Sequence, residues 1–159
     1  MLKVKLITVG TLKEDYLRAA AAEYEKRLGA FCRFEHVQLK EERVSDSPSQ
    51  NEIRAVLERE SVKIIEQIPS SAFCVALCVE GKQLSSEELA QRIEDISMDK
   101  SEICFVIGSS YGLSDAVKQR ADMRLSVSKL TFPHQLMRVI LLEAIYRAFN
   151  IQRGTKYHK

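Results

Sequence analysis

Two short, almost wholly apolar runs, Ala72 to Val79 and Ile103 to Ile107, constrain this chain more than any other feature. Both fall far below the roughly 20 residues needed to cross a membrane. Both are also too unbroken for a strand with one wet face, which would alternate polar and apolar positions. A strand apolar on both sides needs helices over both faces of its sheet, as in parallel α/β proteins.

The rest of the sequence supplies that covering. Leu2 to Val9 reads as a strand, and Lys13 to Leu28 as a helix, with Leu17, Ala20, Ala21, Tyr24 and Leu28 on one face and Gly29 closing it. Phe34 to Leu39 is a second strand. Ser45 to Ser49 is a loop leading to a charged helix, Asn51 to Gln67, whose apolar stripe is Ile53, Val56, Leu57, Ile64 and Ile65. Gly81 and Lys82 read as a turn after the first apolar run. Ser85 or Ser86 then caps a helix with Glu87 and Glu88 in its first turn, where negative charge suits the helix dipole. A short helix, Asp115 to Ala121, a strand, Met123 to Val127, and a long helix from Pro133 complete the chain. Alternating β and α with buried strands predicts an α/β fold built on a parallel sheet. At 159 residues, 45% of them apolar and with no linker or repeat, the sequence predicts one domain, residues 1–159.

The first residues lack the apolar core and small-residue cleavage site of a signal peptide, which predicts a cytoplasmic protein. Of the four cysteines, none forms a Cys-x-x-Cys pair and none has a histidine at metal-ligand spacing. Cys32, Cys74, Cys78 and Cys104 therefore read as small core residues, and no metal is expected. Net charge is only +2, but it is unevenly spread. Glu35 to Glu66 carries eight acids against five bases, whereas Arg120 to the end carries eight bases against two acids. A basic end on a nearly neutral chain is either a solvated tail or a face that meets a polyanion.

In open parallel sheets ligands bind where loops leave the carboxyl ends of the strands. Three such loops stand out: Glu80-Gly-Lys82, Gly108-Ser-Ser-Tyr-Gly-Leu113 and Ser128-Lys-Leu-Thr-Phe-Pro133. The middle one is neither a dinucleotide fingerprint nor a P-loop. Its glycines let backbone approach a ligand or take positive φ, or they simply make a turn. The last helix is apolar around most of its circumference, interrupted by His134 with Arg138 and, roughly opposite, by Glu143, Arg147 and Asn150. Such a helix is either a central core element or half core and half dimer interface. Glu143 and Arg147 stand at ion-pair spacing. The final residues hold Arg153, Lys156, Tyr157, His158 and Lys159. An end of this kind frays, or its ring, imidazole and cations stack on a base and grip phosphate.

Several of these segments together resemble one family. They are Phe105-Val-Ile-Gly108, Gly112-Leu113, Leu125-Ser-Val-Ser-Lys-Leu-Thr-Phe-Pro-His-Gln135, Arg138-Val139, Glu143, Tyr146-Arg-Ala148 and Tyr157-His-Lys159. Val9-Gly10-x-Leu-Lys and Glu23-Tyr-x-Lys-Arg27 extend the likeness over the whole chain. They look like the bacterial SPOUT-superfamily enzymes that methylate N3 of a pseudouridine in 23S ribosomal RNA.

The resemblance implies a C-terminal trefoil knot within about residues 72–159, a homodimer with the last helix at its interface, and S-adenosyl-L-methionine as cofactor. It implies cofactor contacts at Leu77, Gly108, Val127, Ser128, Lys129, Leu130, Thr131 and Phe132. RNA contacts fall at Arg153, Lys156 and Lys159, and His158, Arg147 and Tyr157 are candidates for the chemistry. The family commonly has Gly-Gly where this chain has Gly108-Ser109, and proline or a small residue where it has Lys156.

The reaction so implied is displacement of a methyl group from a sulfonium by N3, which must lose its proton. His158, or a water it holds, is the expected proton acceptor, with Arg147 or Arg153 stabilising the charge or gripping phosphate. With no added RNA-binding domain in the sequence, the expected substrate is 23S rRNA in the assembled ribosome. The alternatives are a cofactor-free ribosome-binding protein, a flavodoxin-like small-molecule enzyme and a tRNA methyltransferase of the same superfamily.

Overall fold

The computed structural model describes all 159 residues. Five strands, β1 (Lys3–Val9), β2 (Arg33–Leu39), β3 (Phe73–Lys82), β4 (Glu102–Ile107) and β5 (Met123–Leu125), form one sheet in the order β2-β1-β4-β3-β5. Every pairing is parallel, as the apolar strands require. The helices are α1 (Asp15–Leu28), α2 (Gln50–Glu66), α3 (Ser86–Asp99), α4 (Asp115–Arg120) and α5 (His134–Gln152).

Strand alternation divides the core in two. Val4, Leu6, Val75 and Phe105 point to one face, where Leu17 of α1, Ile93 of α3 and Leu142 of α5 cover them. Ile7, Val9, Cys74 and Val106 point to the other, under Ile64 of α2 and Val117 of α4. The central strands are thus dry on both sides.

Caps fix the helix starts. Ser49 accepts a hydrogen bond from the Glu52 amide, and Ser85 and Glu88 form a reciprocal capping box. At the far end of α5, Gly154 takes φ +64°, its N–H bonds the Ile151 carbonyl, and Thr155 N–H bonds that of Asn150. That pattern is a Schellman stop, and it turns the tail back along the molecule.

Four expectations need correction. Gly81 and Lys82 are not a turn: β3 runs through them, and Lys82 pairs with Leu125 across an irregularity in the ladder. A side chain at Gly81 would put its Cβ 2.6 Å from the Leu125 carbonyl carbon, so this glycine serves close backbone approach. The fifth strand ends at Leu125, two residues early. On α2 the buried face carries Val56, Glu60, Ser61 and Ile64, while Ile53, Leu57 and Ile65 are half-buried. On α5, Arg138 and Asn150 are buried and do not form a wet stripe: Arg138 donates to Gln38 Oε1 and the Gly10 carbonyl while its Nε has no partner, and Asn150 donates to the Tyr146 carbonyl.

Candidate active site

Three chain segments converge at the carboxyl ends of β3, β4 and β5 to wall a cleft of about 350 Å³. Leu77 and Cys78 enter from β3, Gly108 to Gly112 from the β4 exit, and Leu125 to Phe132 from the β5 exit. The start of α5 closes it with Pro133, His134 and Met137. The volume lies within the range of small-ligand sites. A roomier depression of about 570 Å³ lies between Met1, Ser97 and Arg153, where β1 and β4 begin, far from these loops. Parallel sheets bind ligands at the other end, so the smaller cleft is the candidate.

Backbone constraints shape the cleft. A Cβ on Gly108 would stand 2.2 Å from the Gly112 carbonyl oxygen, and Gly112 itself takes φ +87°. Gly112 N–H bonds the Ser109 carbonyl at 2.9 Å, closing the loop. Gly108 thus permits close packing and Gly112 the left-handed turn. In the second loop, Ser128 Oγ accepts from Leu130 N–H, and Ser126 Oγ donates to the Ser128 carbonyl.

The lining contains no lysine, arginine, aspartate or glutamate. Burial, aided by the nearby Arg138 and Lys13, holds the His134 imidazole below its ordinary range against an opposing pull from Glu41. His134 is therefore neutral at pH 7. With no cation to neutralise phosphate, the cleft suits a ligand of little net charge whose polar atoms meet backbone groups.

Of the residues singled out from sequence, Leu77, Gly108, Val127, Ser128, Leu130, Thr131 and Phe132 all line this cleft, whereas Lys129 does not. Cys78, assigned above to the core, is half-buried and lines it too, near the carboxyl end of β3. Met137 and the neutral His134 were not foreseen as lining. Nothing in their spacing marks them, because α5 is apolar nearly all round.

Arg147, Tyr157 and His158 gather elsewhere. The phenol of Tyr157 donates to Glu143 Oε1 at 3.1 Å, and its ring meets Tyr146 edge-on at 4.9 Å. The guanidinium of Arg147 lies over the Tyr157 ring, donates to Glu143 at 2.6 and 3.0 Å, and reaches His158 Nδ1 at 3.1 Å. Since arginine can only donate, His158 Nδ1 accepts and its Nε2–H donates to Glu87 Oε1 at 2.8 Å. Burial, with Tyr24 and Glu143 as hydrogen-bond partners, pushes the Tyr157 phenol up to about 12. Tyr157 is thus no base near neutral pH. Arg153 stacks on Phe31, 4.6 Å from the ring centroid, while Lys156 and Lys159 are exposed. The tail is docked rather than frayed. Met137 in the cleft and Arg147 are ten residues apart on α5, about 15 Å along its axis.

A parallel sheet whose last strand and final helix enclose an uncharged loop-walled cleft has clear relatives. The sequence model described as "Predicted SPOUT methyltransferase" matches residues 2–158, and the chain belongs to that family. It is 48% identical over 159 residues, 99% of this chain and 100% of its relative, to the ribosomal RNA large subunit methyltransferase H of Streptococcus suis. With the same coverage, it is 50% identical to the protein of that name from Bifidobacterium adolescentis and 46% to that from Bacillus pumilus. A probable methylase family protein from Haemophilus influenzae shares the fold, with a TM-score of 0.51 at 13% identity over 99% of this chain and 70% of that one.

Proposed function

We propose that this protein transfers a methyl group from S-adenosyl-L-methionine to N3 of a pseudouridine in 23S ribosomal RNA, acting on the assembled ribosome. Full-length identity of 46–50% to ribosomal RNA large subunit methyltransferases supports ribosomal RNA as the substrate. The observation that carries the reading is the uncharged cleft. A sulfonium nucleoside with an amino-acid tail has little net charge and many polar atoms. Apolar Leu77, Leu125 and Phe132 fit its base, while backbone groups of Gly108 and Val127 to Thr131 fit its polar atoms. The same absence of cations disfavours a flavin or other phosphate-bearing cofactor.

When bound, the cofactor supplies an activated methyl group; the chain's residues must position the acceptor and remove its proton. As docked, His158 has no free lone pair, because Arg147 occupies Nδ1 and Glu87 holds Nε2–H. To accept the N3 proton, Nδ1 must release Arg147, and that release frees the Nη1 of a guanidinium still paired with Glu143 to stabilise the anion that forms. Arg153, Lys156 and Lys159 grip phosphate. The roughly 15 Å of α5 between Met137 in the cleft and Arg147, where the tail docks, supports a site shared between subunits. In that arrangement the half-buried side of α5, with Leu136, Val139, Ile140 and Ala144, is the dimer face, and one protomer's tail meets its partner's cleft. The reading includes one domain, with a knotted threading of about residues 72–159.

The experiment is to incubate the purified protein and methyl-labelled cofactor with ribosomes lacking the modification, then map the label. Label at N3 of a 23S pseudouridine is the expected result; label on tRNA, or none, overturns the proposal.

A further inference from the structure

One carboxyl group lies against the cleft loop without lining the cleft. Glu60, on the inner face of α2, is 3% exposed. Its Oε1 accepts a hydrogen bond at 2.9 Å from the hydroxyl of Ser109, itself 4% exposed. Its Oε2 is buried with no partner. Burying a carboxyl costs free energy that an apolar side chain of similar size would not, so stability alone gives no reason for an acid here.

Its one hydrogen bond suggests what it does. Ser109 follows Gly108 at the end of β4, bridges to Gly112, and offers its carbonyl to the Gly112 amide. No other side-chain hydrogen bond holds residues 108–113. The loop is constrained from within by Gly108 packing and Gly112 φ; Leu113 anchors its end in the core, and the Glu60 contact across 49 positions is its polar tie to α2. The geometry points to Glu60 and Ser109 as a positioning pair that holds the Gly108–Leu113 loop in its ligand-receiving shape before any ligand arrives. The link to affinity rests on the cleft being the S-adenosyl-L-methionine site; the link to loop order does not. Burial and the Glu41 and Glu42 carboxylates favour the neutral acid, while the Ser109 hydroxyl and the nearby Glu42 backbone amide oppose them. A glutamine can therefore replace Glu60 and keep the acceptor.

The test pairs two readouts on the full-length protein and its Ser109→Ala, Glu60→Ala and Glu60→Gln variants. Amide hydrogen exchange in the ligand-free state follows Gly112, and calorimetry follows S-adenosyl-L-methionine and S-adenosylhomocysteine. Ser109→Ala and Glu60→Ala should each speed Gly112 exchange and weaken cofactor binding by about tenfold, the worth of one internal hydrogen bond. The Ser109→Ala/Glu60→Ala double variant should be no worse than either single, and Glu60→Gln should stay within about twofold of the parent. Unchanged Gly112 exchange in both alanine variants overturns the inference, as does strictly additive loss in the double variant. Faster exchange throughout the protein overturns it too, since that marks general destabilisation. Should Glu60→Ala not fold, Ser109→Ala with Glu60→Gln decides alone. A parent protein that binds neither probe, yet shows the exchange pattern, retires the cofactor reading and leaves the pair standing.

Discussion

The guanidinium carbon of Arg147 lies 4.8 Å from the centroid of the Tyr157 ring, so the end of the chain is clamped onto the middle of α5. The clamp is reinforced by Glu143, which both residues share as an acceptor. Tyr157→Phe removes the phenol's hydrogen bonding and keeps the stacking, whereas Tyr157→Ala removes both. Tyr157→Ala should therefore loosen the tail by about 1–2 kcal/mol and Tyr157→Phe by about 1. Limited proteolysis at Gly154 to Lys159 would show the difference, and equal protection of both variants would contradict it.

His158→Ala should lower single-turnover methylation of ribosomes by about a hundredfold, the lower range for a lost general base. Cofactor binding by the same variant should be unchanged, because the tail stands away from the chain's own cleft. Full activity of His158→Ala would remove this residue from the chemistry.

Gly108→Ala forces a Cβ to within 2.2 Å of the Gly112 carbonyl oxygen, a contact that only backbone movement relieves. The expected cost is about 1–3 kcal/mol of stability, with loss of cofactor binding. Gly112→Ala meets no atom but must hold φ at +87°, so it should destabilise less and still impair binding. Thermal denaturation and calorimetry on the two variants separate the steric from the conformational effect.

Burial raises the Glu60 carboxyl above its ordinary value, with Glu41 and Glu42 adding to the shift. The folded state therefore binds the proton more tightly than the unfolded chain does. The resulting stability is fully present below the unfolded carboxyl's pKa and is lost as pH rises through the folded one. Glu60→Gln abolishes that dependence. Its melting temperature should gain on the parent as pH rises from the acid range, then hold a constant margin. A margin that is flat across the whole series would show that Glu60 does not titrate as its surroundings demand.

Ile140→Glu places a charge on the half-buried side of α5 and should convert a dimer to monomers in sedimentation, with loss of methylation. Mixing the Gly108→Ala and His158→Ala proteins tests the shared site. Regained activity marks a tail working on its partner's cleft, and continued inactivity assigns tail and cleft to one chain.

The helices and strands were legible because their periods survive in a single sequence. Leu17, Ala21 and Leu28 repeat as a helix face, and Val75 and Phe105 sit in runs that tolerate no water. The cleft loops were legible because glycine and proline mark them. Gly81 misled for the same reason: a glycine that makes room for Leu125 looks, in sequence, like one that turns the chain. Glu60 and Arg138 were opaque, since their partners are 49 and 128 positions away and their charge predicts exposure. Strand order was equally hidden, because pairing across the sheet leaves no local trace.

That order has a bearing on how the protein is born. β1 is the first strand to leave the ribosome, yet one of its two neighbours is β4, nearly a hundred residues later. Until β4 emerges, one whole edge of β1 has nothing to bond, and the walls of the cleft, drawn largely from residues 107–137, do not yet exist. A half-made chain therefore has no cleft in which to hold a ligand, and the site exists only once the last third of the sequence has joined the first strand.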